Sequence, residues 1–397
     1  MKMTNVFFSA AAALLTVCAV SCGSTEKVGS SEGAIELETA VNGGNICAAY
    51  IATWGVYDPA KKRDRAWKAD DIEGDKLTDL ILSFAEVNDK DHVSLDTGDV
   101  ESCYGEVKKL VQKYPHLRVS VAIGGASDGI ADFKAIAADS SLRTKFIDNV
   151  KALLTGNTDI HGIDIDWEYP GKRLKYGTDE WEKEFSAYIT LLKELKLMML
   201  RLGKSNGIAY RLTTALPADN GPIINESSRI QEVCDGLNIM MYDFCGSWSS
   251  NTGHNAPVDE VESDLQRYLG AGTDPDKLIL GIPFYGQRWT GIEEEEDNHG
   301  LGSNVPKQSG DGGYEFSKIL KLLEDSNYVR YFDEYAESPY LYNAKDKIFI
   351  SYTDANAVTR LTQLVRDYKL GGAMTWEYGQ DMTGTLLKAM YSGLSGK

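Results

Sequence analysis

The sequence lacks several features that would assign it to common classes of protein. Basic residues are in the minority, with 41 Lys and Arg against 59 Asp and Glu, and the net charge of -18 argues against nucleic acid as a partner. The six cysteines and five histidines show no paired spacing typical of a metal site, so we expect neither a metal nor another cofactor. The uncharged apolar run at residues 6–20 is too short to span a membrane as a helix.

The N-terminus instead resembles a bacterial export signal. Lys2 precedes the apolar run, which ends in AVSCG at residues 19–23, a sequence that resembles a lipoprotein processing site. Residues 1–21 would be removed, Cys22 would carry a lipid, and residues 22–44 would form a flexible tether rich in Gly, Ser, Thr and Glu. We expect a cell-envelope lipoprotein, periplasmic or outer-surface, that touches the membrane only through the lipid on Cys22. The alternative is an ordinary secretory signal and a secreted protein.

Eight short apolar segments follow the tether, and helical patterns at residues 144–154 and 179–202 fall between them. Several segments are almost continuously apolar, as parallel strands covered on both faces should be. Repeated alternation of strand and helix predicts an α/β fold, a (β/α)₈ TIM barrel, over residues 45–397. The predicted strands lie near residues 46–54, 78–85, 117–123, 161–168, 208–215, 236–243, 278–285 and 371–377.

The interval between the seventh and eighth segments is too long for a single connection. It runs from residue 286 to residue 370 and contains its own helical pattern at residues 316–323 and short strand patterns at residues 340–343 and 347–352. We therefore predict a small α+β insertion between strands seven and eight, over residues 287–355, followed by a final helix near residues 356–368.

The fourth segment carries a row of acids, Asp164, Asp166 and Glu168, that alternate with bulky apolar residues. In a strand, side chains two residues apart share a face, so the three carboxyl groups would line one side. Acids at this spacing repel one another, and folding alone would not select them. Coupled carboxyl groups can share protons, which suits acid–base catalysis at neutral pH.

Other strands end in polar and aromatic residues that would share the mouth of the barrel with these acids. Tyr242 and Asp243 end the sixth segment, Tyr285 ends the seventh, and Trp376 stands at the end of the eighth. Acids together with stacking aromatic rings suit a glycoside. Trp54 and Tyr285 could equally be core residues, whereas the position of Trp376 favours the site.

The string GIDIDWEYP at residues 162–170 resembles the catalytic signature of family 18 glycoside hydrolases, the chitinase family. Further matches follow in that family's order over about residues 46–391: IGG at 123–125, MMYD at 240–243, GIPFYG at 281–286, YLYN at 340–343 within the insertion, and GGAMTWE at 371–377. The resemblance implies a monomeric, cofactor-free enzyme. Its substrate would be chitin or chitooligosaccharides, whose β-1,4-linked N-acetylglucosamine units it would hydrolyse with retention of configuration.

The resemblance also implies a substrate-assisted mechanism, in which the sugar's own acetamide oxygen attacks the anomeric carbon. Glu168 would protonate the leaving oxygen and then deprotonate the incoming water. Asp166 would hold the acetamide in line, Asp164 would share a proton with Asp166, and Tyr242 would donate its hydroxyl to the acetamide oxygen.

Substrate binding is assigned by the same resemblance to residues around the mouth. Trp376 would form the hydrophobic floor beneath the reacting sugar, and Asp243 would bind that sugar. The complete predicted binding set is Tyr50, Trp54, Gly124, Gly125, Met240, Asp243, Tyr285 and Trp376.

Three positions depart from the family pattern. His161 replaces a usual aspartate, but strand parity places it opposite the acids, so we expect little effect. Ala122 replaces a usual serine, which would leave Tyr50 as the remaining donor to Asp164 and shift the pH optimum without abolishing activity. Ala126 replaces a common tryptophan and would remove one stacking platform on the leaving-group side.

Two other functions remain open. An endo-β-N-acetylglucosaminidase acting on N-glycans uses a similar acid pair, although we would not expect this insertion in such an enzyme. A non-catalytic, lectin-like chitin-binding protein would share the fold, but family members of that kind have lost the acid, and Glu168 is present here.

Overall fold

The computed structural model describes residues 27–28, 35–36, 39–40, 42–59, 66–88, 93–126, 130–295, 297–307 and 309–396. The predicted signal segment and Cys22 lie outside these ranges. Within them, no helix is both long enough and apolar enough to cross a membrane.

Eight parallel strands form a closed barrel, because the first strand pairs with both the second and the eighth. Each predicted segment overlaps one of these strands, and the (β/α)₈ prediction is confirmed. The first and seventh strands are buried along their whole length, since the barrel interior covers one face and helices cover the other. The strands are Ile46–Ala52, Asp79–Val87, Arg118–Gly124, Gly162–Asp166, Arg211–Pro217, Gly236–Met240, Leu278–Pro283 and Gly372–Trp376.

The helices surround the barrel and follow the predicted periodicity. The longest begins after Thr178, whose hydroxyl accepts a hydrogen bond from the backbone N–H of Trp181, and ends at Gly207, which adopts the left-handed conformation with φ 80°. Its buried face includes Phe185 and Leu192. The helices are Gly98–Lys113, Ile130–Ala138, Ser140–Gly156, Asp179–Asn206, Gly221–Asn225, Ser227–Gln231, Val258–Gly270, Phe316–Leu322, Ala355–Asp367 and Thr385–Ser395.

An antiparallel sheet of five strands, with the helix Phe316–Leu322, occupies the predicted insertion. Trp289 and Phe349 are fully buried at its centre. The prediction that Tyr285 ends the seventh barrel strand is wrong: that strand ends at Pro283, and Tyr285 pairs antiparallel with Glu315 as the first residue of the insertion sheet. The sheet strands are Tyr285–Thr290, Gly310–Glu315, Val329–Asp333, Ser338–Asn343 and Ile348–Ser351.

The end of the predicted tether is bonded to the base of the barrel, opposite the mouth. The backbone N–H of Ala40 donates to Asp235 at 2.7 Å, and that of Asn42 donates to Asp276 at 2.7 Å. Lys277 donates to the carbonyl oxygen of Ala40 at 2.8 Å. These hydrogen bonds hold residues 40 and 42 against the barrel. Two short strands, Lys27–Val28 and Ile35–Glu36, also pair antiparallel within the predicted tether.

Candidate active site

A cleft of about 720 Å³ opens at the carboxyl ends of the barrel strands, where barrel enzymes carry their active sites. Most of the predicted site residues line it. Those residues are Tyr50, Asp166, Glu168, Met240, Tyr242, Asp243 and Trp376.

The three acids of the fourth strand form a gradient of burial toward the cleft. Asp164 is completely buried, Asp166 is 4% exposed at the end of the strand, and Glu168 is half-buried just beyond it. Burial disfavours the charged form of a carboxyl group, and it raises the pKa of all three acids. No three metal-ligating side chains are arranged to hold a metal ion in the described part of the chain.

Asp164 accepts hydrogen bonds from three strands. The hydroxyl of Tyr50 donates to Oδ2 at 2.8 Å, while the hydroxyl of Thr213 and the amide of Asn238 donate to Oδ1 at 2.6 and 3.1 Å. These bonds lower the pKa of Asp164 against the larger, opposite effect of burial. The predicted hydrogen bond from Tyr50 to Asp164 is therefore present, but Tyr50 is not the sole remaining donor. Ala122 faces Asp164 in register but has no hydroxyl to donate. Thr213 and Asn238 are two donors that the sequence did not predict.

Asp166 has a different environment from Asp164. Its Oδ1 is buried and receives no hydrogen bond from any described residue. Burial, followed by the charges of Glu168 and Asp164, raises its pKa well above the ordinary value. A carboxyl group that has a buried, unpaired oxygen and lies beside two other acids is favoured in its protonated form.

Glu168 reaches the cleft with a raised pKa, whose largest cause is burial. The positive charge of Lys172 opposes this shift, whereas the negative charge of Asp243 adds to it. A glutamate whose pKa lies above its ordinary value can hold a proton nearer to neutral pH, which is the property required of a general acid.

Trp376 is the last residue of the eighth strand and lines the cleft between two other aromatic rings. Its ring lies 5.5 Å from that of Phe84, nearly parallel to it, and 5.7 Å from that of Tyr50 at 58°. These contacts fix the indole plane. The half-buried Trp376 is therefore a rigid apolar surface within the cleft, as predicted for the floor beneath a sugar.

Asp243 is held by the insertion and by the loop that follows the sixth strand. The hydroxyl of Tyr285 and the amide of Gln287 both donate to its Oδ1, at 2.6 and 2.7 Å. Its backbone has φ 63°, and its N–H donates to the side chain of Asn255 at 3.0 Å. Tyr285 thus supports Asp243 and does not itself line the cleft.

Three predicted binding residues besides Tyr285 are not brought to the cleft lining. Trp54 lies on the turn Thr53–Gly55 after the first strand and is 44% exposed. Gly124 and Gly125 pack behind the site, and both have positive φ. A Cβ on Gly124 would approach the carbonyl oxygen of Asp166 at 2.2 Å, so this glycine permits close backbone packing against the catalytic strand.

The other two departures from the family pattern occupy different places. His161 precedes the fourth strand at the base of the barrel, where its Nδ1 accepts a hydrogen bond from the backbone N–H of Val119 at 3.2 Å. Ala126 lines the cleft and is exposed, so a larger side chain at this position would contact a bound ligand.

Sequence reasoning missed several residues of the cleft. Trp248 lines it and is 64% exposed, which leaves a large aromatic face open to a ligand. Phe84 and Lys172 also line the cleft. Trp248 follows the sixth strand by only a few residues, and that proximity was a signal that could have identified it.

A family model described as Glycosyl hydrolases family 18 matches residues 46–381. This span contains the barrel, the insertion and every residue named as lining the cleft. The chain belongs to this family. The resemblance drawn from the sequence motifs is confirmed.

Relatives of this family 18 chain include Chitinase A1 of Niallia circulans, 31% identical over 311 residues, which are 73% of this chain and 44% of that protein. The Endochitinase of Manduca sexta is 28% identical over 363 residues, covering 84% and 63% of the two chains. The chain thus spans about half the length of these relatives. Among solved structures, a family 18 N-acetylglucosaminidase from Paenibacillus barengoltzii has a TM-score of 0.73 at 26% identity, covering 88% of this chain and 99% of that one.

Proposed function

We propose that this family 18 chain hydrolyses chitin and chitooligosaccharides, which are β-1,4-linked polymers and oligomers of N-acetylglucosamine. The observation that carries the proposal is the row of Asp164, Asp166 and Glu168, which rises from the sealed barrel interior into an aromatic-lined cleft. Named chitinases among the relatives support the same substrate class.

Glu168 is the proposed general acid and base. Its raised pKa supports retention of a proton, which it donates to the leaving oxygen while the substrate's acetamide oxygen attacks the anomeric carbon. Glu168 then removes a proton from water, which attacks the same carbon from the face that the leaving group vacated. Two successive inversions give overall retention of the β configuration.

Asp166 and Tyr242 are proposed to hold the acetamide in line for attack. Both line the cleft. Burial raises the pKa of Tyr242 well above its ordinary value, so its hydroxyl keeps its proton and can donate to the acetamide oxygen. Asp166 accepts from the acetamide N–H, while Trp376 supports the apolar face of the sugar and Asp243 binds its hydroxyls.

Glu168→Gln tests this assignment, because glutamine retains the shape of glutamate but supplies no proton. The variant should release no product from a natural chitooligosaccharide while binding that oligosaccharide nearly as tightly as the wild type. Glu260→Gln, at an exposed acid of the same cleft, is the matched control and should retain most activity. Product release by Glu168→Gln would remove Glu168 from its proposed role.

Substrate choice separates the proposal from its alternatives. Hydrolysis of a chitooligosaccharide, with the β anomer formed first, supports it, whereas cleavage confined to a high-mannose glycoprotein would indicate an endo-β-N-acetylglucosaminidase. Binding without turnover by the wild type would indicate a lectin-like protein. An analogue that lacks the acetamide should resist hydrolysis, since the attacking group is then missing.

We also propose that the protein is exported and anchored as a monomer through a lipid on Cys22. The support is the sequence at residues 19–23 and the Gly- and Ser-rich segment that follows it. Cys22→Ser expressed in bacteria should lose incorporation of labelled palmitate and move from the membrane fraction to the soluble fraction. An unchanged membrane fraction would contradict lipid anchoring and leave ordinary secretion to be tested.

A further inference from the structure

The deepest acid of the cleft is surrounded by donors that no catalytic role accounts for. Asp164 is completely buried, yet its two oxygens accept three hydrogen bonds, from Tyr50, Thr213 and Asn238. The donors belong to strands one, five and six, so the closed barrel brings them together. Three donors directed at one carboxyl group stabilise its ionised form, because a neutral acid would need one oxygen to donate.

Asn238 also fixes the direction of the tyrosine proton. Its amide nitrogen carries two hydrogens and donates one to Asp164 and the other to the hydroxyl oxygen of Tyr50, at 2.8 Å. Since the Tyr50 oxygen accepts this bond, its own hydrogen is directed to Asp164. Asn238 therefore strengthens two of the three bonds that reach the buried carboxylate.

Among the ionisable groups that interact with Asp164, Asp166 is the acid that holds a proton. The charges that interact with Asp164 are those of Tyr50, Asp166, Tyr188 and Cys234. Burial raises the pKa of the two tyrosines and of the cysteine, so these three groups stay neutral. Asp166, whose Oδ1 receives no described hydrogen bond, is the remaining group that can exchange charge with Asp164.

We propose that Thr213 and Asn238 are positioning residues that hold Asp164 ionised, so that the proton shared by the two aspartates stays on Asp166. The proposal rests on the roles proposed above for the three acids. Asp166 then presents its O–H toward Asp164, while its carbonyl oxygen accepts from the acetamide. When Asp166 is neutral, Glu168 has no negatively charged Asp166 beside it after it has donated its proton.

Thr213→Val tests the proposal, because valine matches the shape of threonine but lacks the donor. Loss of a hydrogen bond raises the pKa of Asp164, so the acidic limb of kcat/KM should move to higher pH by about one to two units. Thr213→Ser should restore the limb. Ala122→Ser offers a second route: its hydroxyl, facing Asp164 in register, should move the limb to lower pH and offset Thr213→Val.

The control is Thr214→Val on the same strand. Thr214 is also buried, but its hydroxyl donates to the carbonyl oxygen of Ile165 and contacts Tyr188, away from the acids. This variant should lower stability and leave the acidic limb unchanged. If the acidic limbs of Thr213→Val and Thr214→Val coincide while Glu168→Gln is inactive, this inference is wrong and the proposed roles of the three acids stand. Activity in Glu168→Gln would instead overturn the proposed roles.

Infrared spectroscopy supplies a readout that a merely structural role would not change. A protonated carboxyl group has a carbonyl stretch that a carboxylate lacks. Glu168→Gln removes the contribution of the general acid to this band. In that background the band should lose intensity on Asp166→Asn and keep it on Asp164→Asn, and with Thr213→Val added it should respond to both substitutions. Loss of intensity on Asp164→Asn alone would place the proton on the wrong aspartate and refute the inference.

Discussion

Lys172→Met should extend activity toward alkaline pH. Among the described residues that line the cleft, Lys172 is the one Lys or Arg, facing five Asp and Glu. Its Nζ lies 5.5 Å from the centre of the Tyr169 ring, and Tyr169 directly follows Glu168. The positive charge favours the ionised form of Glu168 and so opposes the effect of burial on its pKa. Without that charge, Glu168 should keep its proton to higher pH.

The expected shift is modest, because Lys172 is exposed. Two unit charges about 4 Å apart interact by about 4 kcal/mol at an effective dielectric constant near 20, and more distant charges interact more weakly. Solvent screening reduces exposed pairs to about 0.2–1 kcal/mol. Since about 1.4 kcal/mol corresponds to one pH unit, the alkaline limb of the activity profile should move up by roughly half a pH unit.

The assay is kcat/KM for a chitooligosaccharide as a function of pH, read at the alkaline limb where Glu168 loses its proton. A natural oligosaccharide is required, since a nitrophenyl leaving group departs without strong acid assistance. Lys172→Met should move the limb upward by about half a pH unit, and Lys172→Arg should leave it in place. Lys175→Met removes the same charge from an exposed position outside the cleft lining and serves as the control.

Salt separates an electrostatic effect from a rearranged cleft. At about 1 M salt the Debye length falls to about 3 Å, so the limbs of the wild type and Lys172→Met should converge. The reasoning would be refuted by a limb that stays in place at low salt, by an equal shift in Lys175→Met, or by a shift that high salt does not reduce.

Three further changes test other parts of the molecule. Lys196→Met should lower the free energy of unfolding, measured in urea, by about 3–5 kcal/mol. The reason is that the buried Asp235 loses the cation that contacts both its oxygens at 2.7 Å. A loss below about 1 kcal/mol, as for a solvent-exposed pair, would contradict a buried ion pair. Tyr285→Phe removes a donor from Asp243, raises its pKa and should lower kcat/KM about tenfold, most at acidic pH; an unchanged profile would show that Gln287 suffices. Gly124→Ala should reduce thermal stability by several degrees, since its φ of 115° and a carbonyl oxygen 2.2 Å from the new Cβ leave no room.

The barrel and its row of acids were predictable because both depend on short-range pattern. Each barrel strand is a compact apolar segment, and two-residue alternation alone places Asp164 and Asp166 on the interior face while the intervening Ile165 faces outward. Glu168 lies two residues beyond the end of its strand. In a barrel, the carboxyl ends of the strands surround the mouth. These inferences require no knowledge of which strands become neighbours.

The errors arose where a residue's role depends on a partner remote in sequence. Tyr285 follows the apolar segment 278–283 without a break in pattern, and only pairing with Glu315 assigns it to the insertion sheet. Asn42 lies in a segment whose composition suggests a tether. Its hydrogen bonds to Asp276 and to Arg211, more than a hundred residues away, fix it to the barrel instead.

The surroundings of Asp164 show how register determines chemistry. Its donors stand 114, 49 and 74 positions away in the chain, on Tyr50, Thr213 and Asn238. Thr213 and Thr214 are adjacent and of the same residue type. Because Asp164 pairs with Thr213, the Thr213 side chain faces the acid and the Thr214 side chain faces the helices. A shift of one residue in the fifth strand would exchange their faces. The proton affinity of the buried acid is therefore a property of barrel closure, and a motif confined to the fourth strand does not contain it.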